Sequence, residues 1–329
     1  MSPPPYHLRV NKAADRFALI EAIRRLPGLG GELKEYTYYG LGGPYLEDMR
    51  LLYEFYPEIT EVSIEIDKEI RKRQEFHRPC ASNTLQLEVG DIGAYVRLYE
   101  PNDKKSIFWL DYTGLDFSCF GDFMALLPKL APGSMVKVTL RADPRDYWVI
   151  SRKDEKPVKS KKRETEKFRV KFDTLMPQSL TNLPWKVADF AHLVQQMLQI
   201  SVQQALSAQS TNTDFHPISS FFYSDGTWMF TATGIVWTRD EGKIIKEAYK
   251  DWEFANLTWD NPRLIDIPDL STRERLQLQH CLPCDKSPGE ALYAELGYLI
   301  DEDVPKSEAA LEQYAAFHRY FPYFLRGTP

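Results

Sequence analysis

Cysteine is scarce in this chain: four among 329 residues, at positions 80, 119, 281 and 284. So few cannot build a disulfide scaffold, and the expected compartment is the reducing cytoplasm. No apolar run approaches the ~20 residues that cross a bilayer, so no membrane partner is expected. The opening "MSPPPYHLRV" lacks the apolar core of a secretory signal. Positive charge is not in excess. Lys and Arg number 41 against 47 Asp and Glu, and the net charge of −6 gives no general attraction to nucleic acid or anionic lipid. A second Cys-x-x-Cys pair is missing too. The one in "HCLPC", Cys281 and Cys284, cannot by itself complete the four ligands of zinc, and it follows a helical pattern where a redox motif would open one. These two read as structural cysteines. No internal repeat is found.

What the chain does have is a core. Hydrophobic residues make up 43% and aromatic residues 13%, which argues against disorder, and the length allows one to three domains. Residues 11–27 carry an amphipathic helical pattern, and an alternation of strand-like and helix-like runs follows. The strands are "EYTYY" (35–39), "EVSIEI" (61–66), "TLQLEV" (84–89), "SIFWLDY" (106–112) and "SMVKVTL" (134–140). The helices between them are 45–57, 67–79, 91–100 and 119–130. Parallel strands need crossover helices, so this alternation predicts a parallel sheet with its ligand crevice at the carboxyl ends of the strands. A long helix is expected over 184–209. At 216–237, β-branched and aromatic runs flank "SDGT", whose Asp-Gly suits the positive φ values of a tight hairpin turn. Toward the C-terminus "STRE" (271–274) and "SPGE" (287–290) both fit the capping box, and 307–321 has helical spacing.

Five βα units closed by an antiparallel hairpin resemble the class I S-adenosylmethionine-dependent methyltransferases, over roughly residues 30–237. The resemblance implies an α/β, Rossmann-like sheet and S-adenosylmethionine as cofactor. It places the first loop, with Tyr38, Gly40, Gly42 and Gly43, beneath the methionine part of the cofactor. It assigns Glu65 in "VSIEID" to the ribose hydroxyls, Asp91 in "EVGDI" to the adenine, and Asp111 and Tyr112 in "LDYTG" to the catalytic side of the crevice. Chemistry gives these residue types a reason. Glycine lets backbone approach a ligand without a Cβ clash. A carboxylate accepts two hydrogen bonds from a ribose diol. The rings of Tyr38, Tyr39 and Tyr112 offer cation–π attraction to a sulfonium. In-line transfer then needs positioning and sometimes a base, for which Asp111 is the candidate.

Two positions depart from the family pattern. Tyr38 stands where an acidic residue usually precedes the first glycine, and Pro44 stands where a third glycine falls. "LDYTG" is also loosely similar to the Asp-Pro-aromatic-Gly strand end of the three-Cys-motif partner proteins. That likeness implies an alternative, a non-catalytic subunit of a bacterial multi-protein system, with the helical C-terminal region contacting a protein partner. A nicotinamide-dependent enzyme is disfavoured, because Gly40, Gly42 and Gly43 do not make the G-x-G-x-x-G spacing. The expected organisation is a helical segment over 1–30, a methyltransferase-like domain over 31–240 with an insertion at about 144–212, and a helical region over 241–329. Within the insertion, 151–171 is expected to be a mobile charged loop. Its eight Lys or Arg between Arg152 and Lys167, Lys159, Lys161, Lys162 and Arg163 among them, make a phosphate-contacting arm for nucleic acid a further expectation.

Overall fold

The computed structural model describes residues 9–27, 33–78, 85–100, 104–147, 157–207, 212–284 and 287–320. Cys80 and residues 151–156 lie outside them. In chain order the elements are α1 (Val10–Arg24), β1 (Tyr36–Gly40), α2 (Glu47–Phe55), β2 (Thr60–Glu65), α3 (Lys68–His77), β3 (Leu85–Val89) and α4 (Ile92–Leu98). Then come β4 (Lys105–Asp111), α5 (Phe117–Leu126), β5 (Met135–Arg141), α6 (Pro157–Phe172), α7 (Val187–Ser207), β6 (Thr213–Ser224) and β7 (Trp228–Thr238). The last are α8 (Gly242–Tyr249), β8 (Arg263–Ile265), α9 (Thr272–Leu278), α10 (Pro288–Leu296) and α11 (Val304–Phe317).

These residues form two compact units. The larger takes Leu19–Phe222 and Thr227–Arg263; the smaller takes the N-terminal residues to Ala18, Tyr223–Gly226, and the chain from Leu264 onward.

In the larger unit the strands run in the order β3-β2-β1-β4-β5-β7-β6. The first five are parallel, and β7 lies antiparallel on β5, with Val136 opposite Gly234. Chain order reverses between β1 and β4, and that switch point is where an open α/β sheet leaves a crevice. Strand β1 is buried along its whole length, as expected of a central parallel strand covered on both faces. Alternate side chains go to opposite layers. Tyr39 stacks on Phe108 at 4.3 Å, with Tyr99 edge-on to both. Tyr38 points to the other layer, toward α2, where its hydroxyl donates to Asp48.

Helix α6 corrects an expectation: residues 157–172 are helical, not a mobile loop. Phe168 and Phe172 are one helical turn apart and both buried; Phe168 packs with Tyr147 and Phe190, and Phe172 with Phe168 and Phe120. Their i, i+4 spacing supplies the apolar stripe that holds the charged segment down. Glu164 is buried and pairs with both Arg163 and Lys167.

The smaller unit is knit by long-range polar contacts. Asp225 accepts from the backbone N–H of Asn11 and Lys12 at the start of α1, while Asn11 Oδ1 accepts from Ile267 N–H at 2.9 Å. Only the glycine of the Asp-Gly pair has positive φ, Gly226 at 107°. The Ser271–Glu274 capping box is present. The one expected at Ser287 is not: Ser287 sits at φ 42° and makes no side-chain cap. The Gly289 N–H donates instead to Glu312 on α11, at 2.9 Å, so the orphan amide of α10 is satisfied from the neighbouring helix.

Candidate functional site

The β1–α2 turn begins at Gly40. Gly42 and Gly43 have φ of 66° and 55°, the left-handed region that glycine enters without a Cβ penalty. At Gly42 space excludes a side chain as well, since a Cβ would come within 2.8 Å of Leu46 and 3.0 Å of Ser63 Oγ. The turn is held from below. Ser63 Oγ donates to Leu41 O at 3.1 Å, and Gln74 Nε2, on α3, donates to Leu41 O and Gly43 O at 3.0 and 2.9 Å.

Tyr38 is fully buried, and its hydroxyl donates to Asp48 Oδ2 at 2.5 Å. Burial, with Asp48 beside it, holds that phenol well above its ordinary range. A Cβ on Gly40 would meet the Tyr38 hydroxyl at 2.8 Å and Asp48 Oδ2 at 3.0 Å, so this pair lies directly under the turn. Asp48, ten residues on from Tyr38, thus puts a carboxylate beneath the turn. Neither Tyr38 nor Tyr39 presents an open ring face, since both rings are packed in the core; the cation–π role expected of them is not what these two rings do.

Glu65 ends β2, opposite Val89 at the end of β3. Its Oε1 accepts from Asp67 N–H at 2.8 Å, and Oε2 has no protein partner among the described residues. Beside it, Ile66 and Val89 are large apolar side chains left 66% and 61% exposed. Asp91 caps α4, its Oδ1 accepting from Ala94 N–H at 2.9 Å.

Asp111 and Tyr112 are consecutive, so the two-residue period of a strand sends them apart. Asp111 ends β4 on the layer of Tyr38, whose hydroxyl feels its charge. Tyr112 turns to the opposite layer, where its hydroxyl donates to Asp122 Oδ2 at 3.1 Å. Asp122 Oδ1 takes Arg97 at 3.0 Å, and its carboxylate fills the space a Cβ on Gly93 would need. Burial pushes the Tyr112 hydroxyl far above its ordinary value, with Asp122 adding to it, so Tyr112 is a neutral donor and not a base. The strand end is anchored to β5. Tyr112 N–H donates to Thr139 O at 2.9 Å, and Arg141 N–H to Gly114 O at 3.2 Å. Helix α6 braces the next residues through Lys171, which donates to Leu115 O at 2.8 Å and pairs with Asp116 at 2.6 Å.

The structure thus gathers Gly42, Gly43, Glu65 and Asp111 at the carboxyl ends of β1, β2 and β4, with Asp91 following β3. Asp48, Ser63, Gln74, Ile66 and Val89 join them unforeseen. A signal existed for Ser63: Glu61, Ser63 and Glu65 put three polar residues at alternate positions of a buried parallel strand. Among the described residues, no group of three or more His, Cys, Asp or Glu could hold a metal ion.

A comparison with curated proteins finds no match. Solved structures with a similar chain trace include Trm1 from Pyrococcus horikoshii with S-adenosyl-L-methionine, at 9% identity and TM-score 0.45, covering 73% of this chain and 60% of that one. A "putative O-methyltransferase" from Klebsiella pneumoniae has 9% identity and TM-score 0.39, covering 72% and 84%. Human N-acetylserotonin methyltransferase with its cofactor has 11% identity and TM-score 0.31, covering 68% and 54%. Over residues 4–328 the sequence matches the model of the family described as "Putative O-methyltransferase", and the chain belongs to that family.

Proposed function

We propose that this protein is an S-adenosylmethionine-dependent methyltransferase acting on an acceptor hydroxyl. The observation that carries the reading is the placement of a left-handed glycine turn, a half-satisfied carboxylate and a second acid at the ends of β1, β2 and β3, beside the switch point of the sheet. The residues fit the cofactor. The turn at Gly42 is bare backbone in a left-handed conformation, which lets a ligand approach it without meeting a side chain. Glu65 keeps one oxygen for a ribose diol, and the exposed Ile66 and Val89 offer apolar walls to a flat base. When bound, the cofactor supplies a methyl group on a positively charged sulfur, with a neutral thioether as leaving group. Asp111 is the group that can orient an acceptor hydroxyl or take its proton, because it ends β4 on the layer of the glycine turn. Tyr112, committed to Asp122, shapes the opposite wall. The acceptor is a hydroxyl compound met in the cytoplasm.

Calorimetry with S-adenosylmethionine and S-adenosylhomocysteine tests the reading. Both should bind, and Glu65→Ala should weaken binding by about 1.5–3 kcal/mol, the scale of a hydrogen bond to a charged group. Absence of binding by either compound would sink the proposal. Binding without methyl release to any hydroxyl acceptor would favour the non-catalytic subunit instead.

A further inference from the structure

Glu61 sits in the middle of β2, opposite Tyr38 on β1 and Leu85 on β3. It is 1% exposed, and neither carboxyl oxygen has a hydrogen-bond partner among the described residues. A buried charge without partners is costly, so such a group persists mainly in its neutral form. The charged and titratable groups around it do not offset that cost. From α2 comes Asp48, of like sign; from β1 comes the Tyr38 hydroxyl, already donated to Asp48; from β4 comes Asp111, near that hydroxyl. After α3, Arg78 donates to the carbonyl of Leu85, and Gln74 is spent on Ser63 and the glycine turn. Burial first, and the Asp48 charge second, push the Glu61 carboxyl up to about 8.

The layering gives this carboxyl a use. Ser63 is opposite Gly40 and Glu61 is opposite Tyr38, so Glu61 lies two residues, about 7 Å, along the strand from the turn. Gly40 is where the turn begins, and a charge acting through the buried layer between is screened less than one at the surface. We propose that Glu61 is a charge-sensing carboxyl: protonated in the free protein, it releases its proton to solvent when a cationic cofactor settles on the turn above Asp48. It takes a proton back once the sulfonium has become a neutral thioether. S-adenosylmethionine carries a net charge one unit more positive than S-adenosylhomocysteine, because both share the ammonium and carboxylate. Glu61 therefore distinguishes cofactor from product by charge, and favours release of the spent form. The inference rests on the methyltransferase reading above.

Calorimetry of the full chain, repeated in phosphate and in Tris buffer between pH 6.5 and 9, counts the protons released. S-adenosylmethionine binding should release a measurable fraction of a proton near pH 7, and S-adenosylhomocysteine binding close to none. The ratio of the two affinities should rise several-fold across the range. In Glu61→Gln, a near-isosteric variant, both effects should vanish while binding persists. Should that variant not fold, Asp48→Asn serves: with the like charge gone, the rise in the affinity ratio should begin at lower pH. Equal proton counts for the two ligands, a pH-independent ratio, or a release that survives in Glu61→Gln would overturn the proposal. Failure of either ligand to bind would instead overturn the methyltransferase reading, and this inference with it.

Discussion

Gly42 combines a left-handed backbone with contacts that leave no room for a Cβ. Gly42→Ala should therefore lose about 1–3 kcal/mol of stability, the cost of holding a non-glycine residue in a sparsely populated region. It should also weaken cofactor binding, because relief of the clash distorts the turn. Thermal melts and calorimetry read the two effects, and unchanged values in both would show that the turn adapts. The sequence made this glycine legible through its position after a strand. It could not show which acid serves the turn. The carboxylate of Asp48 reaches Tyr38 only because α2 folds back over β1, a tertiary fact with no local signature. Asp111 and Tyr112 teach the opposite lesson. Strand alternation already implies that neighbours face apart, so their separation onto opposite layers is legible in the sequence itself.

At the level of elements, α6 shows how charge can mask order. Phe168 and Phe172 form an i, i+4 apolar pair within a run of lysines, arginines and glutamates, and they seat the helix against Tyr147, Phe190 and Phe120. Phe168 is 1% exposed, so Phe168→Ala should cost about 3–5 kcal/mol as a large-to-small core change. Protease cleavage within residues 157–172 should then appear in the variant under conditions that spare the parent chain. Equal resistance would show that the helix is held by other contacts. The βα alternation and the hairpin were legible because hydrophobic period and turn chemistry agree there. The missing cap at Ser287 was not, because Glu312 of α11 supplies the partner and only folding brings it near.

The whole molecule should register Glu61 in its stability. The folded chain keeps that proton up to about pH 8, whereas an unfolded glutamate loses it near its ordinary value of 4.5. Between those limits the unfolded state binds fewer protons, so stability falls as pH rises and levels off above about 8. The slope is bounded by about 1.4 kcal/mol per pH unit. Urea melts at pH 5 and pH 8 should show the loss, and Glu61→Gln should flatten it. A parent chain whose stability rises over that window, or an unchanged slope in the variant, would contradict this account of the buried carboxyl. The bond between Asn11 and a residue 256 positions away was not legible, because no local pattern announces so distant a pairing. The strand end at Tyr112–Gly114 carries a different message about the molecule in action. Its backbone is laced to β5 through Tyr112 and Arg141, so this wall of the crevice belongs to the sheet and is not a gate. In hydrogen exchange those two amides should be protected like strand interiors, and any breathing that admits cofactor must come from the segments after β1, β2 and β3.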